Sequence, residues 1–204
     1  MGFYGNHVLP HLIALAMRHR DLASYRRRVL SGAEGRVLEV GIGSGLNLPF
    51  YRSNVSRIIG LDPSPRLLDL AQRQGKAAGI SLDLLQGSAQ AIPLDDASID
   101  TVTMTWTLCS IPNASQALVE IRRVLKPSGS LLFVEHGAAP DPGVAAWQNR
   151  LTPFWRRIAG GCHLNRDVAG LLRTAGFEIV ELQQGYMRGP RPFTFMSEGR
   201  ARPS

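Results

Sequence analysis

The stretch Arg36-Val-Leu-Glu-Val-Gly-Ile-Gly-Ser-Gly-Leu-Asn47 decides how the rest of the chain is read. Val37, Leu38 and Val40 make a short apolar run of the kind that forms a buried strand, and it passes directly into glycines at 41, 43 and 45. Glycine removes the side chain where a ligand must lie against the backbone, so a strand that ends in such a turn and opens a helix is a place to hold a small polar cofactor. Further on, Arg57-Ile-Ile-Gly-Leu-Asp62 is a second apolar run that ends in a carboxylate. An acid there can accept hydrogen bonds from a ribose diol.

The spacing excludes a nicotinamide dinucleotide fingerprint, whose third glycine would fall at position 46, where the chain has Leu46. The order of segments continues with Leu82-Asp-Leu-Leu-Gln-Gly87 as a third strand and then Gly87-Ser-Ala-Gln-Ala-Ile-Pro93. Asp96-Ala-Ser-Ile-Asp100 leads into Thr101-Val-Thr-Met-Thr105 as the fourth, and Leu125-Lys-Pro-Ser-Gly129 precedes the fifth, Ser130-Leu-Leu-Phe-Val-Glu135. Strands that alternate with helices pair in parallel and carry helices on both faces.

With these segments in this order, Glu39-x-Gly41-x-Gly43-x-Gly45 resembles the first motif of class I S-adenosylmethionine-dependent methyltransferases, of the methyltransferase type 11 group. The resemblance implies an α/β, Rossmann-like, doubly wound sheet of seven mostly parallel strands in the order 3-2-1-4-5-7-6, the last inserted strand antiparallel. It implies S-adenosyl-L-methionine as cofactor and S-adenosyl-L-homocysteine as product, with Glu39, Gly41, Gly43, Gly45, Asn47, Asp62, Pro63, Ser88, Ala89 and Thr105 lining the cofactor. Ser88 stands where the family usually has Asp. Its hydroxyl can still accept from an adenine amino group, but without the charge-assisted part of the bond.

At 204 residues and 44% hydrophobic content the chain can bury one sizeable core, so one domain over 1–204 is expected. Cys109 and Cys162 are too few and too far apart for a disulfide framework, which suits free thiols in a reducing, cytoplasmic setting. No apolar run approaches the roughly 18 to 20 residues that span a bilayer, and the start, Met1 to Met17, lacks a basic leader and reads as part of the fold. The formal charge of +7 is spread along the chain. Its densest cluster, Arg18-His-Arg20 with Arg26-Arg-Arg28, reads first as a solvated helix face, next as a peripheral membrane contact, and last as an RNA surface, since no aromatic RNA-reading motif accompanies it.

Residues 6–30 carry helical spacing, with Asp21 able to cap a second helix, and would form a lid over the cleft. Asn113 can start the helix before strand five. Residues 137–165 form a substrate-side insertion that contains a helix from Val144 to about Ile158, and Asn165 can cap a helix from Arg166 to about Ala175. Phe177–Leu182 and 192–197 read as a closing antiparallel pair, with the tail from Glu198 to Ser204 frayed.

Ligands in open α/β sheets lie beyond the carboxyl ends of the strands. There, His136 is the candidate catalytic base, with His163 second; His7, His11 and His19 belong to the N-terminal helices. Trp106, Cys109, Trp147, His163 and Arg166 are candidates for the acceptor side, Cys109 and Trp147 having core packing as an equal or better reading. A metal held by His136, His163 and Cys162 fits no familiar ligand spacing, and none is expected.

Trp106-Thr-Leu-Cys-Ser110, Glu135-His136, Trp147, Pro153-Phe-Trp155 and Gly161-Cys-His-Leu-Asn-Arg166 together resemble the microsomal methyltransferase-like proteins that methylate small alkyl thiols, over roughly residues 36–176. The present chain lacks their long apolar N-terminal anchor. The resemblance implies a small, apolar acceptor such as a thiol, methylated by in-line transfer. More distant resemblance to quinone C-methyltransferases and phospholipid N-methyltransferases leaves a lipid or quinone acceptor at a membrane surface as the alternative, and a non-catalytic cofactor-binding protein as a third.

Overall fold

The computed structural model describes Met17 and residues 20–204. The greater part of the expected lid, residues 1–16 with Arg18 and His19, lies outside the described residues, and with it His7 and His11. What is described begins with helix α1, Arg20–Leu30, which already includes Asp21 in its first turn.

Strand β1, Gly35–Val40, is followed by β2, Val55–Asp62, and α2, Pro65–Ala78. Ser64 caps α2 by accepting from the Leu67 amide, and Pro65, which has no amide hydrogen, occupies the first turn, where none is needed. Then come β3, Leu82–Gln86, and β4, Ile99–Thr105. Asn113 caps α3, Ala114–Val124, as the sequence indicates, by accepting from the Gln116 amide. Strand β5 runs from Leu125 to His136, α4 from Pro142 to Ile158 and α5 from Val168 to Thr174. The chain closes with β6, Phe177–Tyr186, and β7, Phe195–Pro203.

The seven strands form one sheet in the order β3-β2-β1-β4-β5-β7-β6. Neighbours from β3 to β5 are parallel, while β7 pairs antiparallel with both β5 and β6. Alternate residues of each strand serve opposite faces. Leu38, Val40, Leu131 and Phe133 join α3 and α5 in the main core, whereas Val37, Leu132 and Val134 pack with Val29 of α1 and Ile58 packs with Leu68 and Ala71 of α2. The order reverses between β1 and β4, and this places the cleft at the carboxyl ends of these two strands.

Two expectations need correction at the C-terminal end. Residues 198–203 are not frayed: β7 is inserted between β5 and β6, with Ala201 fully buried opposite Leu131 and Ile179, so its backbone is hydrogen-bonded on both edges. Helix α5 is capped by Asp167, whose carboxylate accepts from the Gly170 amide, while Asn165 donates to Asn149 instead.

Candidate active site

Gly41 and Gly43 both take left-handed backbone conformations, φ 71° and 56°. A Cβ on Gly41 would stand 2.4 Å from both Cγ2 and Oγ1 of Thr107, so this glycine lets the turn pack against the segment after β4. Gly43 is different: a Cβ there would meet nothing nearer than the Gly41 carbonyl at 3.9 Å, so the turn presents bare backbone to open space. Asp62 closes the turn from below, its Oδ2 accepting from the Gly43 amide at 3.0 Å and its Oδ1 from the Ser64 amide at 2.8 Å. Burial raises its pKa and the two backbone bonds oppose the shift. Each carboxylate oxygen keeps a second lone pair, the acceptor capacity a ribose diol would use. Bare backbone beside a buried acid offers both donors and acceptors to a polar ligand. Pro63 is exposed and leads into the α2 cap, Gly45 and Ala89 are buried, and exposed Ser88 accepts from the Gln90 amide at the end of β3.

Beneath the turn lies a buried polar network that only part of the sequence reading anticipates. Glu39 accepts from Asn47 Nδ2 at 2.9 Å and from the Tyr51 hydroxyl at 2.8 Å, and Tyr51 shares a further bond of 2.7 Å with Thr103. Asn47 also donates to Thr105 Oγ1 at 3.0 Å and accepts from Arg26 Nε at 2.9 Å. Glu39, Asn47 and Thr105, expected as cofactor ligands, therefore bond to one another and tie the turn to β4. Burial pushes the Glu39 carboxyl up to about 8, against the bonds from Tyr51 and Asn47. Arg26 is only 4% exposed and lies 4.9 Å from the centroid of the Trp106 ring, which removes it from the solvated basic face predicted for residues 18–28. Arg28 pairs with Glu198 of β7 at 2.8 Å. Nothing in the sequence pattern singles out Arg26 or Tyr51, because their partners come from other elements.

Past β4, Trp106 is a non-glycine residue at φ 51°, a conformation that costs energy and is held by its amide bond to Val134 O at 2.8 Å. Its indole meets Tyr25 of α1 edge-on, and its Nε1 is buried with no partner among the described residues. Glu135, fully buried, accepts from the amides of Thr107 and Leu108 at 2.7 and 3.0 Å through one oxygen. The other oxygen has no partner among the described residues, and burial pushes the carboxyl up to about 7. Glu135 thus fixes the short 3-10 turn Leu108–Ser110 that carries Cys109.

The insertion after β5 is stapled to the sheet by Gln148, a residue the sequence does not mark. Its amide accepts from Ala139 N and donates to Gly137 O and Pro192 O. The end of the insertion brings Cys162 Sγ to 3.0 Å from His136 Nε2. Cys109, His136 and Cys162 place one ligand atom each within 4.8 Å of the others, so Cys109 joins this cluster where the sequence suggested His163. His163 instead binds the Cys109 carbonyl through its backbone amide at 2.8 Å and Nδ1 at 3.0 Å. Arg166 grips the carbonyls of Leu108 and Ile111 on either side of Cys109. The bond with Cys109 and burial hold the Cys162 pKa well above the ordinary thiol range. Burial lowers the His136 pKa, but the bond with Cys162 and the charges of Cys162 and Glu135 outweigh it, so the imidazole is raised above its ordinary value. Trp147 does not join this group: it is 57% exposed and lines a surface groove with Val144, Arg191 and Pro192.

Residues 38–133 match the family described as Methyltransferase domain. The human thiol S-methyltransferase TMT1B is 32% identical over an alignment that covers 93% of this chain and 82% of that protein. The phosphatidylethanolamine N-methyltransferase of Cereibacter sphaeroides is 30% identical over 85% of each chain. Among solved structures, a SAM-dependent methyltransferase from Aquifex aeolicus superposes with a TM-score of 0.66 at 19% identity, covering 94% of this chain and 97% of that one. The cyclase SpnF superposes at 0.72 with 22% identity over 90% of this chain and 80% of its own, so the fold alone does not specify the reaction. The similarity in sequence carries the conclusion: the chain belongs to the S-adenosylmethionine-dependent methyltransferases.

Proposed function

We propose that this methyltransferase acts on a small, apolar thiol. The observation that carries the reading is the similarity to thiol S-methyltransferases along 93% of the chain, which includes the segments that bring Cys109, His136 and Cys162 together at the acceptor side. S-adenosyl-L-methionine supplies a methyl on a sulfonium: the acceptor sulfur forms the new S–CH3 bond, and the electrons of the breaking bond stay with the donor sulfur, leaving S-adenosyl-L-homocysteine.

The protein has two tasks. Orientation in a water-poor cleft can contribute roughly 7 to 11 kcal/mol. Ionising a thiol of pKa about 8.5 at pH 7 costs on the order of 2 kcal/mol, within reach of a nearby imidazole. His136 is the proposed base when the cluster holds no ion: the acceptor thiol takes the place of Cys162 beside Nε2 and leaves its proton on that nitrogen. Glu135 and Arg166 position the turn that borders this space.

A second reading, methylation of a lipid or quinone at a membrane surface, has separate support. On α4, Trp147, Phe154 and Ile158 are 57, 63 and 39% exposed and share one helical stripe, with Arg150 and Arg157 along its edge. Among the described residues no helix is long and apolar enough to cross a membrane. Incubation with labelled S-adenosylmethionine and a panel of small alkyl thiols, quinols and phosphatidylethanolamine vesicles separates the readings. Methylated thiol is the expected product; label in lipid or quinone alone refutes the first reading in favour of the second.

A further inference from the structure

We propose that Cys109, His136 and Cys162 form a zinc site whose fourth position receives the acceptor thiol; the part concerning the acceptor rests on the thiol reading above, whereas the metal site itself does not. Three soft donors arrive from three separate segments: the turn after β4, the end of β5 and the loop after α4. All three ligand atoms lie within 4.8 Å of one another. A tetrahedral ion with Zn–S of about 2.3 Å and Zn–N of about 2.0 Å needs its ligand atoms about 3.6 to 3.8 Å apart. Binding an ion therefore calls for the 3.0 Å contact between His136 and Cys162 to open by about 0.6 Å, with all three ligand atoms already within 4.8 Å. Both cysteines are buried, at 3 and 9% exposure.

The surroundings are built as a metal site requires, with outer groups that hold the ligands. The Ser110 hydroxyl lies 3.5 Å from Cys109 Sγ and can donate to it once the thiol is ionised. His163 binds the Cys109 carbonyl twice, and Arg166 holds the carbonyls on either side, placing a positive charge beside two thiolates. A nitrogen and two sulfurs favour zinc over magnesium or calcium. Three protein ligands are the number found in catalytic zinc sites, which keep one position open; structural sites use four.

At that open position an acceptor thiol binds through sulfur and releases its proton to solvent, because coordination to the ion favours the thiolate. Its remaining lone pair then takes the methyl group, with the electron movement already described. In the ion-loaded protein His136 is a ligand, and the ion does the ionising that the imidazole does without it.

The test uses the full chain, purified under reducing, oxygen-free conditions, with zinc and cobalt(II) as probes. One equivalent of zinc by elemental analysis is expected, and cobalt(II) should show the intense visible bands of a four-coordinate site and a sulfur-to-cobalt charge-transfer band. Cys109→Ser, Cys162→Ser and His136→Ala should each lose the charge-transfer band or the ion, Ser110→Ala should weaken binding about tenfold or more, and Arg150→Ala on the outer surface should change neither. Circular dichroism of each variant shows whether the fold survives. Failure of the folded wild-type chain to bind zinc or cobalt, or retention of the same spectrum in Cys162→Ser, overturns the site. Adding a small alkyl thiol to the cobalt form should shift the charge-transfer band. Thiol methylation by metal-free protein at the same rate overturns the ion's role and leaves the thiol reading standing; metal binding with no thiol product supports the site and overturns the acceptor.

Discussion

Substituting Gly41 tests whether the glycine turn and the segment after β4 are a single packed unit. In Gly41→Ala the new methyl meets two penalties. The backbone sits at φ 71°, where an L side chain costs roughly 1 to 2 kcal/mol. The Cβ would also lie 2.4 Å from both Cγ2 and Oγ1 of Thr107 and 3.0 Å from its Cβ, so rotation of the threonine cannot clear it. Thr107 cannot retreat freely either, because its amide is bonded to buried Glu135. Overpacking of this kind costs about 1 to 3 kcal/mol. The total of about 2 to 5 kcal/mol, at roughly 2 to 4 °C per kcal/mol for a chain of this size, predicts a Tm lowered by about 4 to 20 °C. Thr107→Ala removes the two clashing atoms and loses only the bond to Thr105 O, about 0.5 to 1.5 kcal/mol. Thermal or denaturant unfolding of both single variants and the double variant closes a double-mutant cycle. The double variant should recover the steric part, leaving the backbone part of the Gly41 penalty. A coupling below about 0.5 kcal/mol would mean that the two residues are independent and the proposed contact is absent.

Asp62→Ala removes the acceptor that holds the turn and is proposed to bind the ribose; at about 1.5 to 3 kcal/mol it should weaken cofactor binding roughly 10- to 150-fold by calorimetry without unfolding the protein. Because Glu39 has a folded-state pKa of about 8, above its unfolded value, it should make stability fall as pH rises from about 5 to 8, and Glu39→Gln should flatten that slope in unfolding measured across the range. Arg26→Ala leaves Asn47 Oδ1 buried without its donor, a loss of about 1 to 3 kcal/mol, and Arg26→Lys should rescue little, since an ammonium does not reproduce the planar contact over Trp106. Trypsin should spare Arg200 in the native protein, because its strand is paired on both sides; rapid cleavage there would restore the frayed-tail reading.

The C-terminal strand shows why part of the fold was not legible. Ser197, Glu198, Arg200 and Arg202 give β7 no clean apolar alternation, and it is a strand because β5 and β6 satisfy both its edges. Asn165 and Asp167 are both plausible caps two residues apart, and geometry chose Asp167. The cofactor turn was legible because its signals are local, whereas Arg26, Tyr51 and Gln148 carry no local signal: each matters for what it meets from another element.

The sequence alone determined the strand, the glycine turn and the carboxylate that follows the second strand, which side-chain period and backbone conformation fix within a few residues. The order of these segments carried the family resemblance, and with it the expectation of a doubly wound sheet. The gathering of Cys109, His136 and Cys162 was decided by the tertiary structure. It depends on β4 and β5 lying side by side in register and on the insertion folding back under the hold of Gln148, contacts that no spacing along the chain encodes.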